Sequence, residues 1–470
     1  MANVNLTING KALSVPAGTT ILEAAGANGI HIPTLCFLKE LEPHASCRMC
    51  VVEVEGTRTF QHACAAKVRE GMVVHTDTEA VRASRRLTLE LLLSNHAVDC
   101  HHCLRIGSSR CDDLDPRFCE WCFFCDCVKD GFCELQALAR EYKVDKLPFE
   151  QKHNTLPEDK SSVIVRNPNK CIKCKRCVDV CGKVQTVHNL AASGRGCEVT
   201  IGPAFGKPMA ESTCIGCGRC VEVCPTGAIY AAEHKDELVY YAHREDIKTA
   251  AAVSAELIPE LERVLQRAPG SVSLPEIVGA LKKISVDTVV DAAEAEEAAR
   301  AQAEKLLHKE LGKEKSVILT NSFAAKAFLE KTFPEKSDSF LFYDSAMAVF
   351  AKAAGGYDKR FVFGPVGSDA MECEKTRCAD IAVNARELAR IMIRTGAEPN
   401  AGRTAEPETL GLPGSAGRYE RLLGKAVWNM DKEPECFEEN GLRCVICHNL
   451  GQARKALAET DRYDVIRVIA

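Results

Sequence analysis

The opening stretch, "MANVNLTINGKALSVPAGTT", alternates apolar and polar positions with the period of a strand that buries one face. "INGK" breaks it as a turn, and "TTILEAAGANGI" changes to helical spacing that stops at a glycine. Short strands continue to about residue 78. Residues 79–95, "EAVRASRRLTLELLLSN", then place apolar side chains at helical intervals and deliver His96 to a cysteine-dense segment. That segment closes in a second helix, "CELQALAREYKV", before a polar linker, "LPFEQKHNTLPEDKSS". Two compact cysteine runs occupy 171–224. Beyond about residue 236, strand-like runs such as "KSVILT" and "RFVFG" alternate with helices such as "ARELARIMIRTG", the texture of an α/β domain. There "DAAEAEEAARAQAEKLLHKELGKEK" reads as a helix with a solvated charged face.

No apolar run approaches the roughly 18–20 residues that span a bilayer, and "LTLELLL" reads as a buried helix. The first residues have neither the basic start nor the apolar core of a signal peptide, so a soluble, cytoplasmic protein is expected. A net charge of −5 with 27% charged residues calls for neither nucleic acid nor an acidic membrane as partner. The decisive number is 26 cysteines in 470 residues. The chain is longer than small disulfide scaffolds, and spacing has to distinguish bridges from metals.

Cys171, Cys174, Cys177 and Cys181 recur as Cys214, Cys217, Cys220 and Cys224, followed by Pro225. Both runs read C-x2-C-x2-C-x3-C, the spacing of two-cluster bacterial ferredoxins, in which the fourth cysteine of each run ligates the other cluster. One 4Fe-4S set is then Cys171, Cys174, Cys177 and Cys224, and the other Cys181, Cys214, Cys217 and Cys220. The competing reading is zinc, which more often uses two separated C-x2-C pairs. Near the N-terminus, Cys36, Cys47, Cys50 and Cys64 have a loop-plus-distant-thiolate spacing suited to a 2Fe-2S cluster, against buried free thiols as the alternative.

Residues 100–133 hold eight cysteines. Cys100, Cys103 and Cys111 recur 22 positions later as Cys122, Cys125 and Cys133. His96 precedes the first copy and Cys119 the second. A duplication yields two 4Fe-4S clusters, on His96, Cys100, Cys103 and Cys111 and on Cys119, Cys122, Cys125 and Cys133, with Cys127 spare. The rival partition places His96, Cys100, Cys103 and Cys133 on one cluster and leaves the inserted cysteines to zinc or another cluster, and a redox-inert thiol loop is the third reading. Of the rest, Cys373, Cys378, Cys444 and Cys447 either meet as a metal site or are ordinary thiols. No Walker lysine, G-x-G-x-x-G turn or nucleophile–base pair appears, so neither nucleotide nor flavin is expected in this chain.

The alternating N-terminal segment resembles the β-grasp of plant-type ferredoxins. The order of that segment, "SNHAVDCHHC", "CELQALA" and the paired runs resembles the N-terminal half of FeFe hydrogenases and the large iron-sulfur subunit of NADH dehydrogenases. "GRGCEVTIGPAF" is similar to the hydrogenase segment after the first run. The first run ends in Gly182 where proline is frequent. Hydrogenases hold their active-site cluster through motifs of the types TSCCP, PCxxK and ACPGGC. Here "TNSFA" puts Ser322 and Phe323 at the first, "GPVGSD" puts Val366 at the second, and the sequence ends at "YDVIRVIA" before any third.

The resemblance implies a multidomain α+β and α/β chain. Its parts are a β-grasp 2Fe-2S domain (1–78), a helical His/Cys cluster domain (79–150), a two-cluster ferredoxin module (151–235) and a degenerate hydrogenase-like α/β domain (236–470). It further implies an iron-sulfur subunit similar to those of Stn-type electron-bifurcating transhydrogenases, with one 2Fe-2S and four 4Fe-4S clusters. Its partners would be an NADH-oxidising flavoprotein with a thioredoxin-like 2Fe-2S component, an NADP(H)-binding flavoprotein, and ferredoxin. A subunit of an NADH-dependent hydrogenase complex and a hydrogenase-like redox sensor are the alternatives.

Overall fold

The computed structural model describes residues 2–39, 41–97, 127–129, 133–144, 148–149, 156–265, 267–311, 316–364, 373, 379–400, 402–415, 417, 419–423, 430 and 432–469. Strands β1 (Asn3–Ile8) and β2 (Lys11–Pro16) form a hairpin in which Ile8 faces Lys11. Asn9 and Gly10 between them both have positive φ, 51° and 80°, as the right-handed twist of a two-residue hairpin demands. Helix α1 (Ile21–Ala27) begins at a capping box, Thr20 and Glu23 each satisfying the other's backbone N–H. Strands β3 (Val51–Val54), β4 (Gln61–His62) and β5 (Met72–His75) complete a sheet of order β2-β1-β5-β3-β4. Its central β1–β5 pair is parallel and the others antiparallel. Leu6, Ile8, Ile21, Val52 and Val74 fill the core beneath α1, and Cys50 and Cys64 lie in it.

Helix α2 (Glu79–Ser94) starts at Thr78, whose hydroxyl accepts from Val81 N–H. Val81, Arg85, Leu89 and Leu93, four residues apart, are its buried stripe, while Leu87 and Leu91 remain exposed. Arg85 is buried and donates to two neutral acceptors, the Val51 carbonyl at 2.8 Å and the Tyr142 hydroxyl at 2.9 Å. It thereby joins the N-terminal sheet to helix α3 (Glu134–Glu141), which Cys133 precedes as N-cap residue.

In the paired-run region, β6 (Ile164–Arg166) pairs antiparallel with β9 (Ile229–Ala231), bringing the two ends together. Between them lie α4 (Arg176–Asp179), the β7 (Leu190–Ser193) and β8 (Thr200–Pro203) hairpin, and α5 (Arg219–Glu222). The two cysteine runs fold alike. "CIGCGRC" turns through Gly216 and Gly218 at φ 72° and 74°, and "CIKCKRC" makes the same turns with Lys173 and Lys175 at 58° and 66°. The lysines hold a conformation that their β-carbons disfavour.

The rest of the described chain builds two sheets. One is parallel throughout: β10 (Thr249–Val253), β11 (Thr288–Asp291), β14 (Lys359–Phe363) and β15 (Ile381–Val383), in the order β11-β10-β14-β15. The other consists of β12 (Val317–Thr320), β13 (Phe340–Phe342), β16 (Glu435–Glu439), β17 (Leu442–Cys447) and β18 (Val465–Val468), in the order β13-β12-β18-β17-β16. Helix α6 (Ala292–Glu310) is the charged segment. Ala295, Ala299 and Ala303 are buried on one face, and a thin side chain there lets neighbouring elements approach. Helices α7 (Phe323–Thr332), α8 (Ala346–Ala353), α9 (Ala385–Arg394) and α10 (Leu450–Ala458) cover the sheets. Among the described residues no helix is long and apolar enough to cross a membrane.

The five-stranded sheet closes over the ferredoxin-like region. Ile215 is buried in the same core as Ile318, Leu450 and Ile466, and Cys217 packs against it. Helix α10 comes so near that a β-carbon on Gly451 would lie 2.6 Å from the Val184 carbonyl oxygen. Gly451→Ala is expected to destabilise the full chain by about 1–3 kcal/mol, as overpacking against backbone does, read as a lower thermal midpoint. Gly218→Val is expected to lower the midpoint through about 1–2 kcal/mol of left-handed strain. Lys175→Gly, at the equivalent turn, should not lower it.

Candidate iron-sulfur sites

Cys36 and Cys47 sit on the long loop after α1, Cys50 directly before β3, and Cys64 just after β4; all four thiols are buried. Sγ of Cys50 and Cys64 are 3.3 Å apart. The Cys47 thiol hydrogen-bonds Cys36 and holds it down to about 5, so Cys47 is itself pushed up. Cys64 likewise holds Cys50 down to about 7 and is raised in turn. The loop and strand ends therefore gather four sulfurs in two contacting pairs, a soft donor set of the kind that selects iron-sulfur clusters.

The paired runs line two separate apolar hollows. One is bordered by Cys171, Cys174, Cys177 and Cys224, the other by Cys181, Cys214, Cys217 and Cys220. Each hollow thus draws three cysteines from one run and the fourth from the other. Backbone N–H groups aim at the sulfurs: Lys173 at Cys171 and Gly216 at Cys214, both at 3.4 Å, and Asn189 at Cys181 at 3.3 Å. The first two are the same bond made by the two similar turns. Burial pushes Cys171 up to about 11 and Cys174 and Cys214 to about 12, with neighbouring sulfurs adding to it. Without a cation these positions favour the neutral thiol. Four sulfurs around an apolar space, with N–H donors directed at them, fit a 4Fe-4S cubane. Among the described residues no three His, Cys, Asp or Glu side chains gather closely enough to chelate a single metal ion.

Of the middle segment, His96, Cys127 and Cys133 are described; Cys100, Cys103, Cys111, Cys119, Cys122 and Cys125 lie outside the described residues. His96 is buried at the end of α2, where Ala97 N–H donates to the Asn169 carbonyl at 2.9 Å. Cys133 shares one apolar core with Leu93 of α2, with Cys36, Cys47 and Met49, and with Cys174. Ligand candidates from three groups therefore meet in one packed cluster. Arg176 reinforces the junction by an ion pair to Glu134 at 2.7 Å. Cys127 is also buried, its Sγ so near Gly227 that a β-carbon there would be 3.1 Å away. The Cys127 carbonyl accepts from Arg386 at 2.8 Å and Arg390 at 3.3 Å, both on α9.

In the C-terminal sheets, Cys444 and Cys447 do not converge. Three residues apart on one strand, they face opposite sides and enter different cores. Cys373 is buried in a third, and Cys378 and Val366 lie outside the described residues. Ser322 caps α7, its hydroxyl accepting from Ala325 N–H at 3.3 Å. Phe323, like Cys181 and Cys214, packs against the core that contains Cys177, Cys220 and Cys224. Two contacts at these sites had no sequence signal because their partners are far apart in the chain. His44 meets Asp179, and Gln185, wholly buried beside Cys217, accepts from Leu450 N–H at 3.0 Å.

Residues 1–79 match the 2Fe-2S iron-sulfur cluster binding domain and residues 210–230 the 4Fe-4S binding domain. Over 97% of its length the chain is 32% identical to NADP-reducing hydrogenase subunit HndD of Solidesulfovibrio fructosivorans, covering 84% of that protein. Over 43% of its length it is 30% identical to the mitochondrial NADH-ubiquinone oxidoreductase 78 kDa subunit of Candida albicans, of which it covers 25%. Over 44% it is 34% identical to NADPH-Fe(3+) oxidoreductase subunit alpha of Geobacter sulfurreducens, of which it covers 22%. A solved structure of an NAD+-reducing NiFe hydrogenase aligns with 49% of the chain and 88% of its own, at 27% identity and a TM-score of 0.40. With 32% identity to HndD over nearly its whole length and cluster-binding domains where buried cysteines gather, this chain belongs to the hydrogenase-like family of iron-sulfur oxidoreductase subunits that includes HndD.

Proposed function

We propose that the chain is the electron-relay subunit of a cytoplasmic electron-bifurcating NAD(P)H/ferredoxin transhydrogenase. It passes single electrons between an NADH-oxidising flavoprotein, an NADP(H)-binding flavoprotein and ferredoxin. Cys36, Cys47, Cys50 and Cys64 hold a 2Fe-2S cluster. Cys171, Cys174, Cys177 and Cys224 hold one 4Fe-4S cluster, and Cys181, Cys214, Cys217 and Cys220 another. His96 and the cysteines of 100–133 hold two more. When bound, such clusters supply one-electron carriers whose potentials follow ligand charge, burial and hydrogen bonds to sulfur.

The chain's own residues set those terms. Apolar walls exclude water from the paired hollows, the N–H groups of Lys173, Asn189 and Gly216 favour added negative charge on sulfur, and the shared core around Cys36, Cys47, Cys133 and Cys174 keeps successive sites adjacent.

The observation that carries this reading over a hydrogen-metabolising one is the environment of Ser322 and Phe323. Where hydrogenases have cysteines, the serine side chain serves as a helix cap and the phenylalanine fills space against the core of Cys177, Cys220 and Cys224. Likeness to HndD over most of both chains favours the second reading, a subunit of a hydrogenase complex. One set of measurements separates them. In the assembled complex, Cys217→Ser should abolish NADH-to-ferredoxin coupling while the flavoprotein still oxidises NADH with an artificial acceptor. The chain expressed with hydrogenase maturation factors should evolve no hydrogen from reduced viologen. Hydrogen evolution that depends on those factors overturns the transhydrogenase reading.

For the middle segment, replacing Cys119 and Cys122 by serine is expected to remove about four iron atoms per chain, one cubane's content. Replacing Cys127 should remove none. Loss of the His96-site electron paramagnetic resonance signal in Cys111→Ser supports the duplicated partition, and its persistence supports the pairing of His96 with Cys133.

A further inference from the structure

The loop that carries Cys47 is held from within by hydrogen bonds of Ser46 and Cys47 to the Cys36 sulfur. Residues 42–46 belong to no helix or strand, and Ala45 and Arg48, flanking Ser46 and Cys47, have positive φ of 50° and 55°. An outside contact meets the loop here. His44 Nε2 lies 2.5 Å from Asp179 Oδ2. A carboxylate only accepts, so Nε2 carries the hydrogen. Asp179 is 8% exposed and is also paired with Lys183 at 3.2 Å. It ends α4, between Cys177, which borders one hollow, and Cys181, which borders the other. A single carboxylate therefore ties the N-terminal cysteine loop to the stretch of backbone that supplies both hollows.

We propose that His44 is a positioning residue: through Asp179 it pins the Cys47 loop in one register on the paired-run region and so sets the spacing between the N-terminal cluster and the first ferredoxin-type cluster. This rests on the reading that both sites carry clusters. The apolar contacts among Leu35, Met49, Cys47 and Cys174 hold the two parts together, but hydrophobic attraction is non-directional and permits sliding. A charge-assisted hydrogen bond between partners 135 residues apart has a preferred distance and angle, and selects one arrangement.

The test uses the full chain with iron content measured, in the parent, His44→Ala and His44→Gln. Glutamine keeps an N–H donor at similar reach. Two quantities are read: amide hydrogen exchange over residues 41–49, and the relaxation enhancement of the 2Fe-2S paramagnetic signal by a reduced 4Fe-4S neighbour. His44→Ala should keep its iron, exchange about tenfold faster, as loss of a hydrogen bond to a charged group allows, and lose relaxation enhancement. His44→Gln should restore both. Should His44→Ala shed iron, Asp179→Asn weakens the same bond from the other end, with faster exchange and weaker enhancement expected. Exchange and enhancement unchanged from the parent in the iron-replete variant overturn the proposal. A parent that shows no 2Fe-2S signal removes the cluster reading on which it stands, an outcome distinct from loss of the positioning bond.

Discussion

The constraint on which this structure turns is the desolvation of sulfur. Burial pushes the thiols of Cys171, Cys174, Cys177, Cys214 and Cys220 well above their ordinary range. A thiolate in such surroundings is stable only beside a compensating cation. Arg166 and Lys175 border one hollow and Arg219 the other, and a few backbone N–H groups are directed at the sulfurs. A cluster bound there would offset that burial cost and add to the stability of the region.

A second consequence is the way the parts pack. Candidate ligands are themselves core residues: Cys50 and Cys64 belong to the N-terminal core, Cys177, Cys220 and Cys224 to the ferredoxin-like one, and Cys36, Cys47, Cys133 and Cys174 to the junction. Excluding water from one site therefore presses it against the next. Polar bonds of defined geometry then fix orientation, Arg85 and Arg176 around the helices and His44 at the loop.

The C-terminal sheets brace the paired runs. Phe323 and Leu450 press on the Cys181–Cys217 side of the paired runs, Gln185 links that site to α10, and α9 reaches back to the Cys127 carbonyl. Ser322 acts here as a cap and Phe323 as an apolar wall.

The local features of this protein were legible in the sequence because they depend on spacing. The Asn-Gly hairpin, the α2 stripe ending before His96, and the alternation of strands and helices beyond residue 236 follow from periods of two and 3.6 and from turn chemistry. The crossed grouping read from the two runs corresponds to the cysteines that line each hollow. Three things were decided by tertiary structure alone. Lys173 and Lys175 take left-handed turns that nothing in a lysine announces, because the surrounding fold over-determines them. Cys444 and Cys447 look like a chelating pair, yet a strand sends them to opposite faces. His44 and Asp179, like Gln185 and Leu450, are too distant in the chain for any local pattern to link them, and meet only when separate cores pack side by side.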